Sequence, residues 1–170
     1  MGKRRLKQLK EINIEGMSSE GMGIGHHGEK VVFVEQAVPG DIVDVRVQKN
    51  RSKYIKGSAQ NVISPSELRI KPFCEHFGLC GGCKWQFLEY EKQLEYKEQI
   101  VRDALQRIGK VEVGEVLPIL SAPQDRFYRN KLEFTFSNRK WLSQEEVDSG
   151  DDFNRNGLGF HIRNYFDKVV

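Results

Sequence analysis

Apolar and polar residues alternate in short runs through the first seventy positions, give way to a long helical stripe, and then alternate again. Four runs, LKEINIEG, EKVVFVEQ, DIVDVRVQKN and SKYIKGSAQNVI, are separated by turn residues and predict short strands. In the third, Ile42, Val43, Val45 and Val47 form an apolar face, and Asp44 and Arg46 are expected on the opposite, wet face. Gly21, Gly23, Gly25 and Gly28 crowd what reads as one loop, and Ala37-Val38-Pro39-Gly40 marks another turn. GMGIG is not a dinucleotide fingerprint, because the run after it, KVVFV, is strand-like rather than helical. The simplest arrangement of these strands is a small closed OB-like barrel.

The strongest helix is predicted over 86–108. Phe87, Leu94, Val101 and Ile108 repeat every seven residues, Tyr90, Ala104 and Leu105 widen the stripe, and Gly109 supplies a stop. Glu98 with Arg102 and Asp103 with Arg107 are i,i+4 pairs on its wet face. This helix is expected to pack, anchoring the segment before it to a core, and to carry no chemistry. FYRNKLEFTFSN then alternates, with Leu132, Phe134 and Phe136 expected in a core and Phe127, Arg129 and Lys131 on the opposite face. Ser143 to Asn156 reads as an acidic surface loop, and GLGFHIRNYFDKVV resumes a strand-like pattern that breaks off at Val169-Val170, as if cut inside a fold.

Charge divides the chain as the patterning does. Residues 1–71 carry 13 Lys and Arg against 8 Asp and Glu, whereas 72–170 carry 14 against 16. Two small domains are therefore expected, 1–71 and 72–170, the first basic and suited to a polyanion. No apolar run follows the basic MGKRRLK start, so no signal peptide or membrane span is expected, and the expected location is cytoplasmic. On the barrel, Lys49, Arg51 and Lys53 fall at period two, with Arg46, Tyr54 and Lys56 close by. Cations that track phosphates beside a ring on which a base can stack suit single-stranded nucleic acid.

The remaining chemistry is sulfur. The chain has three cysteines, Cys74, Cys80 and Cys83, in CEHFGLCGGC. In a chain without a secretion signal an odd cysteine count points to a metal or cluster ahead of a disulfide, although buried free thiols are an alternative. His76 could complete a Cys3His zinc site, while an iron-sulfur cluster would need a fourth thiolate that the chain does not contain. Spacing alone leaves both open.

Taken in order, VEQAVPGD, SPSELRIKPFCEHFGLCGGCKWQ, YEKQLEYKEQIVRDALQRIG, YRNKLEFTFS and GLGFHIRNYFDKVV resemble the S-adenosylmethionine-dependent RNA (uracil-5-)-methyltransferases, in the branch with a TRAM domain and an iron-sulfur cluster. The resemblance implies an all-β TRAM barrel followed by an incomplete α+β central domain, with the Rossmann-like methyltransferase domain absent from this chain. It implies that Cys74, Cys80 and Cys83 hold a 4Fe-4S cluster whose fourth cysteine lies beyond Val170. Cofactor-binding and catalytic residues, including the cysteine that adds to uracil C6, would likewise lie outside, so no methyl transfer is expected from this chain alone. Tyr128, Arg129, Asn130 and Lys131, with Phe127 beside them, are implied to lie near RNA or at the domain interface. Ribosomal RNA is the expected partner ahead of transfer RNA, bound by a monomer. The competing expectation is a stand-alone zinc-bearing RNA-binding module using Cys74, His76, Cys80 and Cys83.

Overall fold

A computed structural model describes residues 8–170, so the basic start MGKRRLK lies outside the described residues. Five strands close into a barrel: β1 Gln8–Met17, β2 Gly23–His27, β3 Lys30–Glu35, β4 Ile42–Asn50 and β5 Tyr54–Ser64, in the order β1-β2-β3-β5-β4. Closure depends on β1, which pairs antiparallel with β4 through Gln8–Asn13 and with β2 through Ile14–Met17. A bulge between Leu9 and Ile12 bends it, with Glu11 at φ 51°. The expected OB-like barrel is thus present, and β3 and β5 form its one parallel pair. Alternate residues of β1, β3, β4 and β5, with Ala37 from the β3–β4 connection, fill the interior: Ile12, Ile14, Val32, Val34, Ala37, Val43, Val45, Val47 and Ile55 are buried together.

Two expectations for this region are corrected. The glycine run is not one loop: Gly23 and Gly25 lie within β2, and Gly21 and Gly28 make the turns at its ends with φ of 73° and 58°. Gly25 is needed for close approach, since a Cβ there would fall 2.3 Å from the Asn13 carbonyl oxygen across the sheet. Asp44 is not on a wet face either, because it is buried beneath Lys10. The Lys10 ammonium donates to it at 2.6 Å, joined by the Glu11 N–H and the Asn61 amide, and these hold its carboxyl below the usual range against the cost of burial.

The VPGD turn leading into β4 has a structural task. Gly40 takes φ 89°, and Asp41 behind it is fully buried. Its carboxylate accepts the N–H of Val38 at 2.8 Å and of Ser66 at 2.9 Å, and is clasped by both Nε and Nη2 of Arg69. Arg69 also donates to the Gln36 carbonyl and lies 5.7 Å from the Phe87 ring. One carboxylate therefore ties the chain leaving β5 back to the β3–β4 turn.

The chain divides into two compact units, residues 1–71 with 87–123, and residues 72–86 with 124–170. The segment 87–123, which the sequence reading placed after the boundary, belongs with the barrel. Its helix α1 spans Tyr90–Asp103 and continues through wider π-type turns over Ala104–Ile108, shorter than 86–108 at its start. Phe87 and Leu88 are instead extended, bridging Arg69 and Ile70, and both are buried. No residue of α1 itself is buried, and Val101, Leu105 and Ile108 are exposed, so the helical stripe does not pack as expected. Residues 116–122 return along it through polar contacts: Ile119 N–H to Glu98, Ala122 N–H to the Tyr90 hydroxyl. The Glu98–Arg102 and Asp103–Arg107 pairs both form.

The second unit has little regular structure. β6 Thr135–Ser137 pairs with β7 Gly157–Gly159, and bridges join Val169 to Lys140 and His161. Leu132, Phe134 and Phe136, expected as core, are exposed, because only three residues of that alternating run find a partner strand. The acidic 143–156 stretch contains helix α2, Gln144–Ser149, started by a capping box between Ser143 and Glu146 and stopped by left-handed Gly150.

Candidate nucleic-acid interface

The outer face of β3, β5 and β4 brings most of the expected barrel residues together. Because Val32 and Val34 point inward, Phe33 points out, and the parallel register sets it beside Lys56 and one step from Tyr54. The Phe33 and Tyr54 rings meet edge to face at 6.1 Å. Lys49 lies directly across from Lys56 on the neighbouring strand, with its ammonium 6.0 Å from the Tyr54 ring. Arg46 continues the same face opposite Ser58. Arg51 and Lys53 do not extend a strand, contrary to the period-two reading: β4 ends at Asn50, and both lie exposed in a turn closed by the Arg51 N–H on the Tyr54 carbonyl at 2.8 Å. They flank the face rather than stand on it.

This surface pairs half-buried rings with exposed Arg46 and Lys49 and half-buried Lys56. Like charges directly opposite on adjacent strands are unfavourable, and Lys49 faces Lys56, which has the exposed Glu20 carboxylate 3.7 Å away. An anion would relieve that repulsion, and a phosphate chain threading past two rings combines both requirements. Sequence reasoning missed Phe33. The signal was present in KVVFVE, where an aromatic stands among β-branched residues on the outward phase.

The second unit holds the other candidates. Phe127, Tyr128, Arg129, Asn130 and Lys131 are all exposed, outside any strand. Arg129 folds back to donate to the Lys131 carbonyl at 3.1 Å, and Lys131 pairs with Glu133 at 3.3 Å. The cysteine loop is held by backbone contacts to 161–163: Gly81 N–H on the His161 carbonyl, Arg163 N–H on that of Leu79, and a bridge from Cys80 to Ile162. All three thiols are free, Cys74 and Cys80 half-buried and Cys83 exposed, and the Gly82 N–H points at the Cys80 sulfur from 3.3 Å. Among the described residues, however, no group of three or more His, Cys, Asp or Glu side chains is gathered to hold a metal ion. The loop is shaped, but its donors do not converge as a cluster or zinc site requires. Among the described residues no helix is long and apolar enough to cross a membrane.

Residues 3–59 match the TRAM domain family. The chain is 50% identical over 163 residues to an uncharacterized RNA methyltransferase of Porphyromonas gingivalis, covering 94% of this chain and 35% of that protein. It is 46% identical over 155 residues to another of Bacteroides thetaiotaomicron, covering 91% and 34%. With the 23S rRNA (uracil(1939)-C(5))-methyltransferase of Alkalilimnicola ehrlichii it shares 40% identity over 135 residues, covering 77% and 30%. The chain thus spans about a third of the length of these relatives. It carries a TRAM domain on a closed five-stranded barrel and is homologous, over most of its own length, to proteins named as RNA methyltransferases.

Proposed function

We propose that this chain is the RNA-gripping part of an S-adenosylmethionine-dependent RNA uracil-C5 methyltransferase that acts on ribosomal RNA ahead of transfer RNA. The observation that carries the RNA half is the outward Phe33–Tyr54 pair bordered by Arg46, Lys49 and Lys56. The methyltransferase half rests on the homology, and the preference for ribosomal RNA on the 23S rRNA relative. Methylating C5 of uracil requires a nucleophile at C6 and an exposed base, so modules that hold RNA belong beside that chemistry. None of the three cysteines is assigned as that nucleophile, and the chain alone is proposed to transfer no methyl group.

Affinity for a labelled single-stranded RNA, followed by fluorescence anisotropy across a salt series, tests the reading. If three or four of the barrel cations meet phosphates, log K falls against log salt with a slope of roughly −2 to −3. A salt-insensitive interaction, or none at low salt, contradicts it.

The iron-sulfur assignment rests on the resemblance of CEHFGLCGGC to the cluster-bearing branch, since the spacing by itself also suits zinc, and no reaction step is derived through it. With three thiolates that do not converge, this chain is expected to hold iron and sulfide well below one cluster per chain after anaerobic reconstitution. Stable stoichiometric loading contradicts a fourth ligand outside these residues. One zinc per chain, lost on His76→Ala, would favour the zinc-bearing module instead.

A further inference from the structure

Phe127 is the only aromatic among the described non-glycine residues whose φ is positive, at 53°. A bulky side chain rarely adopts that conformation, and it costs conformational energy wherever it persists. The strain does not serve to bury the ring, because Phe127 is 87% exposed. It instead holds the ring edge to face against Phe73, at 5.9 Å and 63°, and Phe73 is itself 47% exposed. The Arg126 guanidinium stands 4.8 Å from the Phe73 ring while keeping a loose ion pair with Asp125 at 3.9 Å. Exposed Tyr128, Arg129 and Lys131 follow immediately, so rings and cations are interleaved over six residues.

Two phenyl rings held at the surface by a strained backbone and bordered by cations lack the features of a core and have those of a stacking platform. We propose that Phe73, Phe127 and Arg126 form a second base-stacking site for single-stranded RNA, separate from the Phe33–Tyr54 face, with Arg129 and Lys131 placed for the flanking phosphates. The site takes an unpaired base on the open Phe127 ring, supported from behind by Phe73 and its guanidinium. It rests on RNA being the partner of this chain, and adds Phe73 and Arg126, which no pattern in the sequence singles out. Glu133, paired with Lys131, and Asp125 temper the local charge, so stacking rather than phosphate attraction supplies most of the grip.

The test uses the whole chain and a labelled oligouridine, read by anisotropy and by ultraviolet crosslinking with mass-spectrometric mapping. Phe127→Ala and Phe73→Ala are each expected to weaken binding about fivefold or more, Phe127→Tyr to restore it, and crosslinks to fall on Phe73 or Phe127. Phe127→Gly separates function from structure: it accepts the positive φ, so it is expected to unfold at or above the parent temperature yet bind as weakly as Phe127→Ala. Unchanged affinity in Phe73→Ala and Phe127→Ala, with crosslinks confined to Phe33 and Tyr54, overturns this site and leaves the barrel reading standing. Loss of binding in neither set, with no crosslink at either, overturns both.

Discussion

Replacing Asp41 with alanine is expected to lower the stability of the barrel unit by about 3 kcal/mol, the largest effect of any single polar substitution described. The carboxylate is fully buried and holds four donors: the N–H groups of Val38 and Ser66 and two nitrogens of Arg69. Truncation leaves two backbone N–H groups short of a partner and a guanidinium facing an apolar gap. The Arg69 side chain, a quarter exposed, recovers some hydration, which keeps the loss near the lower end of what breaking a buried pair costs. For a unit of this size that corresponds to a fall of roughly 12–20 °C in Tm. Asp41→Asn retains an oxygen acceptor and is expected to lose about half as much. Thermal unfolding followed by circular dichroism reads both, and a shift of only a few degrees for Asp41→Ala would show that the clasp does not hold the β3–β4 turn to the chain leaving β5.

How much of this was legible in the sequence depends on what each pattern encodes. Period two reports which residues share a face, and that was enough to place Val43, Val45 and Val47 in the barrel interior. It does not report what covers the other face. Asp44 therefore read as wet, although Lys10 and Asn61, 34 and 17 residues away in sequence, close over it. The same gap explains Leu132, Phe134 and Phe136, whose alternation is real but which lack the partner strands that would bury it. Glycine composition suggested a loop at 21–28, yet Gly25 is a strand residue because Asn13 passes too close for any side chain. The heptad stripe over 87–108 marked a helix correctly in kind, but its first member, Phe87, is drawn into a bridge with the chain beside Arg69.

For the candidate interface, residue types were legible and their arrangement was not. The sequence showed cations and Tyr54 around the β4–β5 turn, and an extended hairpin would have aligned Lys49, Arg51 and Lys53. The turn removes Arg51 and Lys53 from that line, and the parallel β3–β5 register brings Phe33 beside Lys56, a long-range pairing that no local pattern contains. The three cysteines show the converse: their spacing is distinctive, but the thiols are not brought into one donor group.

The ring pair gives the second large effect. Stacking contributes about 1–3 kcal/mol per base, so Tyr54→Ala is expected to weaken single-stranded RNA binding about tenfold and Phe33→Ala with Tyr54→Ala about a hundredfold. Both side chains are half-buried outside the core, which leaves Val32, Val34 and Ile55 to keep the barrel closed. Lys49→Gln behaves differently, with a modest loss that is uniform across RNA sequences and a salt slope shallower by about one. Whether this outer face holds RNA is decided by the Kd of the Phe33→Ala, Tyr54→Ala chain for single-stranded RNA, measured beside the parent at one salt concentration. A folded double variant that binds roughly a hundredfold more weakly is the predicted result, and one that binds as tightly as the parent would contradict the account.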